Sequence, residues 1–256
     1  MLPTLFRIGG VQVHSYSLMV LVAYLAGVLF VERRAGRFGF RPRQVTDFAP
    51  LALVALILAS RLFYVALNWQ HFRHNLGGVF AVWQGGLTFY GGGIVVVILA
   101  LIYAHFKRMS KLRLLDAIVP MAFLAVGFVR IGCLLNGCCF GRPTDCPVGL
   151  VFDPSSPAGL VFPGQRLHPT QLYYSLAGFG LFFLTLRLER QRLKPGALLS
   201  LALVGYSVLR FLVNFLRYFQ IRSEFWYNQS VLLGLAMAGV VLFFVLRNRR
   251  SAAARK

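Results

Sequence analysis

Nearly uncharged apolar runs of about twenty residues recur along this chain, at about 15–35, 47–67, 87–106, 115–135, 168–188, 196–218 and 229–247. At 1.5 Å rise per residue, a helix of that length crosses roughly 30 Å of hydrocarbon. Lipid offers no partner to an open strand edge, so each run is expected to be a helix that satisfies its own backbone. The composition agrees: 58% of the residues are hydrophobic, 13% are charged and the mean hydropathy is +0.69. The expected fold is all-α, a polytopic membrane protein of about seven transmembrane helices forming one integral membrane domain over 1–256. The N-terminus lacks a basic stretch followed by a small-residue cleavage site, so the first run is expected to remain as a helix.

A net charge of +20 would suit nucleic acid, but its distribution points elsewhere. Arg33, Arg34, Arg37, Arg41 and Arg43 follow the first run, and Lys107, Arg108, Lys111 and Arg113 follow the third. Arg187, Arg190, Arg192 and Lys194 follow the fifth, and Arg247, Arg249, Arg250, Arg255 and Lys256 follow the last. Most of the basic charge therefore lies on one side. Short basic loops stay cytoplasmic, which puts the N-terminus outside and the C-terminus inside. No nucleic-acid partner is expected; membrane lipid is.

The opposite loops, around 68–86, 136–167 and 219–228, hold much of the Gly, Pro, Asn and Trp. Five prolines in 136–167 exclude one continuous helix there. That stretch is read as a small extracytoplasmic cap, too short to build a core of its own.

Ionisable residues inside a membrane span are costly, so Arg61, Arg130, Arg210 and Arg217 are candidates for function. The alternative is that each reaches an interface or pairs with a carbonyl. Of the seven acids, Glu32, Asp47, Asp116 and Glu189 fall on the inner side. Arginines at outer-leaflet depth without acidic partners suit an anionic phospholipid, because the guanidinium fork matches phosphate oxygens. The segment Gln84-Gly85-Gly86-Leu87-Thr88-Phe89-Tyr90-Gly91-Gly92-Gly93 reads either as close helix packing or as backbone that a ligand approaches, with Tyr90 beside it.

All four cysteines, Cys133, Cys138, Cys139 and Cys146, fall in or just after the fourth run. Disulfides, a reactive thiolate beside Arg130 or Arg142, and plain small-residue packing all fit. A metal site is not expected, since the spacing Cys-x4-Cys-Cys-x6-Cys lacks a paired C-x2-C signature. No cofactor is expected either. His168, Gln171 and Tyr173 open the fifth run and can line a polar pocket, whereas His14, His71 and His74 are read as solvated or facing headgroups.

At these motifs the chain resembles the phosphatidylglycerol–prolipoprotein diacylglyceryl transferases along nearly its whole length. Val13-His14-Ser15-Tyr16-Ser17-Leu18 looks like that family's first-helix motif, and Ser60-Arg61-Leu62-Phe63-Tyr64 like its second-helix arginine motif. Trp83-Gln84-Gly85-Gly86 through Tyr90-Gly91-Gly92 looks like its Gly-Gly segment. Arg130-Ile131-Gly132 with Asn136-Gly137 and Gly141-Arg142 looks like its signature. His168-Pro169-Thr170-Gln171-Leu172-Tyr173 and Arg210 through Arg217 look like its fifth- and sixth-helix motifs.

The resemblance implies seven helices and a site open to the outer leaflet of a bacterial inner membrane. It implies transfer of a diacylglyceryl group from phosphatidylglycerol to the lipobox cysteine beside a prolipoprotein signal peptide, releasing glycerol 1-phosphate. Arg130, Arg210, Tyr90 and His168 become the expected catalytic residues. Tyr16, Arg61, Gly85, Gly86, Gly91, Gly92, Asn136, Gly137, Arg142, Gln171 and Asn214 become the expected substrate-binding set. The chain departs from the family's pattern where Tyr90 replaces a frequent histidine, Asn214 a glutamate, and Cys133 and Cys138 an asparagine and an acid, which marks a branch with adjacent cysteines. A different acceptor thiol, an intramembrane thiol oxidoreductase acting through Cys133, Cys138, Cys139 and Cys146, and a non-catalytic lipid-binding relative are the alternatives.

Overall fold

A computed structural model describes residues 4–8, 11–73, 76–81, 86, 88–191 and 193–253. Strands β1 (Thr4–Ile8) and β2 (Val11–His14) form an antiparallel pair ahead of helix α1 (Ser15–Arg34). The helices that follow are α2 (Pro42–Leu67), the short α3 (Trp69–Phe72), α4 (Phe89–Phe106) and α5 (Lys111–Asn136). Strands β3 (Leu150–Val151) and β4 (Arg166–Leu167) flank the short helix α6 (Pro157–Val161). Helices α7 (Thr170–Glu189), α8 (Ala197–Asn214) and α9 (Arg222–Ala253) complete the chain.

Each of the seven expected spans is thus helical, and the protein is an all-α polytopic membrane protein. Five helices, within Ser15–Phe38, Pro42–Leu67, Lys111–Asn136, Ala197–Asn214 and Arg222–Val245, are long and apolar enough to cross a bilayer. Gly91–Phe106 is a shorter apolar helix. Helix α7 buries polar Thr170, Gln171, Ser175 and Thr185 along its length, which dilutes its hydropathy. Leu21, Leu25 and Leu29 of α1 and Val54, Leu58 and Leu62 of α2 stand exposed at helical spacing. Stripes of this kind are matched by lipid rather than by water.

The chain divides into two units, Val31–Leu114 and the combination of Met1–Phe30 with Leu115–Lys256. In the first, α2 packs on α4 through glycine. A Cβ on Gly92 would lie 2.7 Å from the Leu56 carbonyl oxygen, so only glycine permits that approach. Pro42 starts α2, where its missing N–H is no loss, and Gln44 Oε1 accepts from Arg41 N at 2.9 Å.

In the second unit, Val119 and Phe123 of α5, Phe182 of α7, and Leu198 and Ala202 of α8 form a buried cluster with Phe30 of α1 against it. Helices α5 and α7 touch backbone to backbone, since a Cβ on Gly178 would lie 2.9 Å from Gly127 N. Helix α9 meets α8 in the same way at Gly239, 2.8 Å from the Ser200 carbonyl oxygen by the same measure. The buried Asp116 of α5 accepts from the Gly196 N–H at 2.6 Å and the Leu199 N–H at 2.8 Å. Its carboxylate therefore caps the start of α8, where the helix dipole favours negative charge.

The 136–167 cap is held by Phe152, Ala158 and Leu167, buried together with Leu134 and Phe140 packed against them. It obtains a core by borrowing the end of α5, which is how so short a stretch orders itself.

Candidate active site

Helix α5 ends at Asn136 in a left-handed turn. Gly137 has φ +70°, its N–H donates to the Leu134 carbonyl at 3.1 Å, and the Cys138 N–H donates to the Cys133 carbonyl at 3.1 Å. This pair of bonds is a Schellman cap, and it folds Cys138 back over Cys133. Cys139 is also left-handed, with φ +60°, a conformation that costs a non-glycine residue about 1–2 kcal/mol. Adjacent side chains of an extended strand diverge; here the two turns bring them together. The Sγ atoms of Cys133, Cys138 and Cys139 all lie within 4.8 Å of one another. No histidine or carboxylate joins that group among the described residues.

The loop carrying these thiols is pinned from two sides by α7 and by the end of α8. Gln171 Nε2 donates to the Cys138 carbonyl at 2.8 Å and Thr170 Oγ1 to the Cys139 carbonyl at 2.7 Å. Gly141 N bonds to the His168 carbonyl at 2.9 Å and Arg142 N to the Leu216 carbonyl at 2.9 Å, while Tyr218 N bonds to the Phe140 carbonyl at 3.2 Å. These main-chain contacts offset the strain at Cys139.

Arginines surround the thiols. Arg217 Nη2 lies 3.8 Å from Cys139 Sγ. The Arg130 guanidinium sits 4.6 Å from the centroid of the Tyr174 ring, within electrostatic reach of Cys133, Cys139, Tyr206 and Arg210. Arg210 is buried and its Nη1 donates to Tyr206 Oη at 2.6 Å. Among the described residues no carboxylate pairs with Arg130 or Arg217, and the buried Arg217 Nε and Gln171 Oε1 have no hydrogen-bond partner. The Cys139 thiol is pulled well below the ordinary thiol range. The Cys133 and Cys138 S–H groups donate to its sulfur, and Arg217 and Arg130 add positive charge.

A chain of polar contacts stands behind Tyr174, whose ring faces Arg130. Tyr174 Oη donates to Asn214 Oδ1 at 2.7 Å, Asn214 Nδ2 donates to Gln229 Oε1 at 3.2 Å, and Gln229 Nε2 donates to the Phe211 carbonyl at 3.3 Å. Asn214 is fully buried. Tyr16 of α1 lies near enough to Cys133, Cys138, Cys139 and Arg130 to feel their charges. A Cβ on Gly132 would come 3.2 Å from Tyr16 Cα, so this glycine lets α1 close on α5. The Asn136 side chain bonds to Cys138.

The expected residues Tyr16, Arg130, Cys133, Asn136, Gly137, Cys138, Cys139, Gln171, Arg210 and Asn214 thus share one site. His168 is differently placed, its Nδ1 3.2 Å from Tyr173 Oη while its backbone joins the loop pairing. Arg142 and Cys146 are exposed. All four cysteines are free thiols, so none of the disulfides that the spacing allows is formed.

The other unit holds Arg61, Gly86, Gly91 and Gly92. Arg61 is buried and donates from Nε to the Val79 carbonyl at 3.0 Å, from Nη1 to Gly86 at 3.2 Å and from Nη2 to Gly78 at 2.5 Å. Its fork holds backbone carbonyls, the second of the two readings its position allowed. Gly86 has φ +69° beneath the Tyr64 ring, and Gly91 packs against Phe63. Tyr90 lies in the first turn of α4; its side chain, together with Gly85 and His74, falls outside the described residues.

Tyr174, Tyr206 and Gln229 are site residues that sequence reasoning did not single out. Tyr206 stands one turn before Arg210, a spacing that puts them on one helix face. Tyr174 and Gln229 reach the site through α7 and α9, and no local pattern marks them.

The family model for prolipoprotein diacylglyceryl transferase matches residues 3–246. A phosphatidylglycerol–prolipoprotein diacylglyceryl transferase from Clostridium tetani is 33% identical over 219 residues, covering 85% of this chain and 86% of that protein. One from Bordetella bronchiseptica is 35% identical over 221 residues, covering 84% and 82%. Another from Nitratidesulfovibrio vulgaris is 31% identical over 258 residues, covering 98% and 95%.

Proposed function

Because the chain belongs to the prolipoprotein diacylglyceryl transferase family, we propose that it moves the diacylglyceryl group of phosphatidylglycerol onto the lipobox cysteine of a prolipoprotein and releases glycerol 1-phosphate. The protein works as a multi-pass protein of a bacterial inner membrane, N-terminus out and C-terminus in, with its site toward the outer leaflet. The substrate cysteine arrives on a signal peptide.

The observation that carries this reading is the convergence of Arg130, Arg210 and Arg217, all close enough to Tyr174 for their charges to act on it. The reaction is a displacement at a glyceryl carbon whose leaving group is a phosphate oxygen. Its barrier is lowered by donors already in place for the charge that develops on that oxygen, and by alignment of the incoming sulfur behind the carbon. Arg130 and Arg210 hold the phosphate, and Arg217 adds positive charge beside the thiols. Tyr16 and Asn136 position headgroup oxygens. Gln171, Asn214 and Tyr174 keep the arginines and the loop in register. Of the residues expected to take the acceptor's proton, His168 belongs to the same unit as the arginines and receives it through water.

The test is to mix purified protein with phosphatidylglycerol and a lipobox peptide bearing one cysteine. The expected product is a peptide heavier by one diacylglyceryl group. Arg130→Ala is expected to lower turnover by about 10²–10³-fold, the loss seen when one charge-stabilising donor is removed. Near-normal turnover of Arg130→Ala would remove it from the phosphate site. Bound phosphatidylglycerol without a mass gain would favour a lipid-binding role or another acceptor.

A further inference from the structure

We propose that Cys133, Cys138 and Cys139 together bind one zinc ion, whose fourth coordination position takes the thiol that is to be alkylated. This rests on the transferase reading above and supplies it with a means of making the acceptor nucleophilic.

The geometry argues for it in three ways. First, the three sulfurs lie within 4.8 Å of one another. Tetrahedral zinc–thiolate bonds of about 2.3 Å put sulfurs roughly 3.8 Å apart, a distance reached here by small side-chain rotations. The backbone is committed to the convergence, because two left-handed residues on either side of the Cys138 backbone, Gly137 and Cys139, bring the adjacent cysteines to Cys133.

Second, the ligand set stops at three. No histidine, aspartate or glutamate completes the group among the described residues. Three protein ligands and one open position are the pattern of a catalytic zinc rather than a structural one. Thiolates also select soft or borderline ions over magnesium and calcium.

Third, the charge is balanced. Zinc with three thiolates carries net charge −1, and −2 once a fourth thiolate binds. Arg217 Nη2, 3.8 Å from Cys139 Sγ, and Arg130, within electrostatic reach of Cys133 and Cys139, supply the compensating charge.

The step balances without any change of oxidation state. The acceptor thiol loses its proton on coordination, as coordinated thiols do, and water carries that proton to His168. Its sulfur electron pair forms a bond to the glyceryl carbon. The carbon–oxygen bond to phosphate breaks, its electron pair leaving on the phosphate oxygen. The resulting thioether is a weak ligand and leaves the zinc.

The experiment uses full-length protein purified from cells grown with zinc. Metal content is measured by elemental mass spectrometry, and cobalt(II) is exchanged in to make the site visible. The expected result is about one zinc per chain. Cobalt bands of tetrahedral thiolate character should shift when a lipobox peptide is added and stay unchanged with its Cys→Ser counterpart. Cys133→Ser and Cys139→Ser should each weaken zinc binding by more than the roughly 10–100-fold typical of losing an outer-shell partner, whereas Cys146→Ser should retain the metal. Wild-type protein stripped by chelator and reloaded with zinc or magnesium covers the case in which a serine variant does not fold; transfer should return with zinc alone. Full transfer by wild-type protein that binds neither zinc nor cobalt overturns the proposal and leaves the transferase standing. Bound cobalt whose bands ignore the peptide thiol overturns it as well. Bands that shift while no diacylglyceryl peptide forms from phosphatidylglycerol support the thiol site and overturn the transferase reading.

Discussion

The guanidinium of Arg130 lies 4.6 Å from the centre of the Tyr174 ring, and the hydroxyl of the same ring is 2.7 Å from Asn214 Oδ1. One tyrosine therefore links an arginine of α5 to an amide of α8. The ring face supplies attraction to the cation, and the hydroxyl fixes where the ring lies.

The two functions of that tyrosine separate by substitution. Tyr174→Phe keeps the ring and leaves the buried Asn214 Oδ1 unpaired, which costs about 1–3 kcal/mol of stability. Tyr174→Leu also removes the cation–π contact, worth roughly 0.5–2 kcal/mol. Both variants are expected to melt earlier than wild type. Only Tyr174→Leu should show a clear further drop in kcat/KM for phosphatidylglycerol, by about 3–30-fold. Equal kinetics in the two variants would show that the ring does not position Arg130.

Gly137→Ala places a Cβ 2.6 Å from Ser156 Cβ on a residue with φ +70°. The Schellman cap that folds Cys138 over Cys133 has to open. Paired thiol-crosslinking of Cys133 with Cys138 by a short bifunctional reagent should be efficient in wild type and largely lost in Gly137→Ala. Undiminished crosslinking would mean that the cap does not set the thiol geometry.

Two neighbouring glycines of α4 are expected to behave oppositely. A methyl at Gly92 meets the Leu56 carbonyl oxygen and the Ser60 side chain, whereas at Gly93 nothing lies within 4 Å. Gly92→Ala should destabilise by about 1–3 kcal/mol through overpacking. Gly93→Ala should be neutral or gain about 0.5–1 kcal/mol from a stiffer helix. Thermal melts in detergent decide the matter, and a similar shift for both would contradict the packing of α4 on α2.

Asp116→Ala removes the carboxylate that accepts from Gly196 N and Leu199 N. A lost helix cap costs about 0.5–2 kcal/mol, at the upper end here because the site is buried. The expected outcome is a lower melting temperature with turnover nearly unchanged at a permissive temperature. A collapse of turnover with an unchanged melt would point to a role beyond capping.

The helices were legible as long, nearly uncharged apolar runs, and the seven runs fall on α1, α2, α4, α5, α7, α8 and α9. The strand pair before α1 was missed, although Val11-Gln12-Val13-His14 alternates as a strand does, because the adjoining apolar run dominated the reading. In the site, Arg130 and Arg210 were recoverable because charged groups at membrane depth are rare, Gln171 because it opens a helix beside His168 and Tyr173, and Asn136 only through the family resemblance. The convergence of Cys133 with Cys138 and Cys139 was not, because it depends on φ at 137 and 139 rather than on ligand spacing. Nor was the use of Arg61, whose carbonyl partners lie 17 to 25 residues further along the chain.

The loop from Cys138 to Thr144 is fastened on both sides by hydrogen bonds that use its backbone carbonyls and N–H groups. Such bonds are indifferent to which side chains the loop displays. The framework therefore behaves as a socket: residue 138, and residue 139 within what its left-handed backbone tolerates, can be exchanged without loosening it, so that a lineage can trade one chemistry for another at the heart of the enzyme while inheriting the same scaffold.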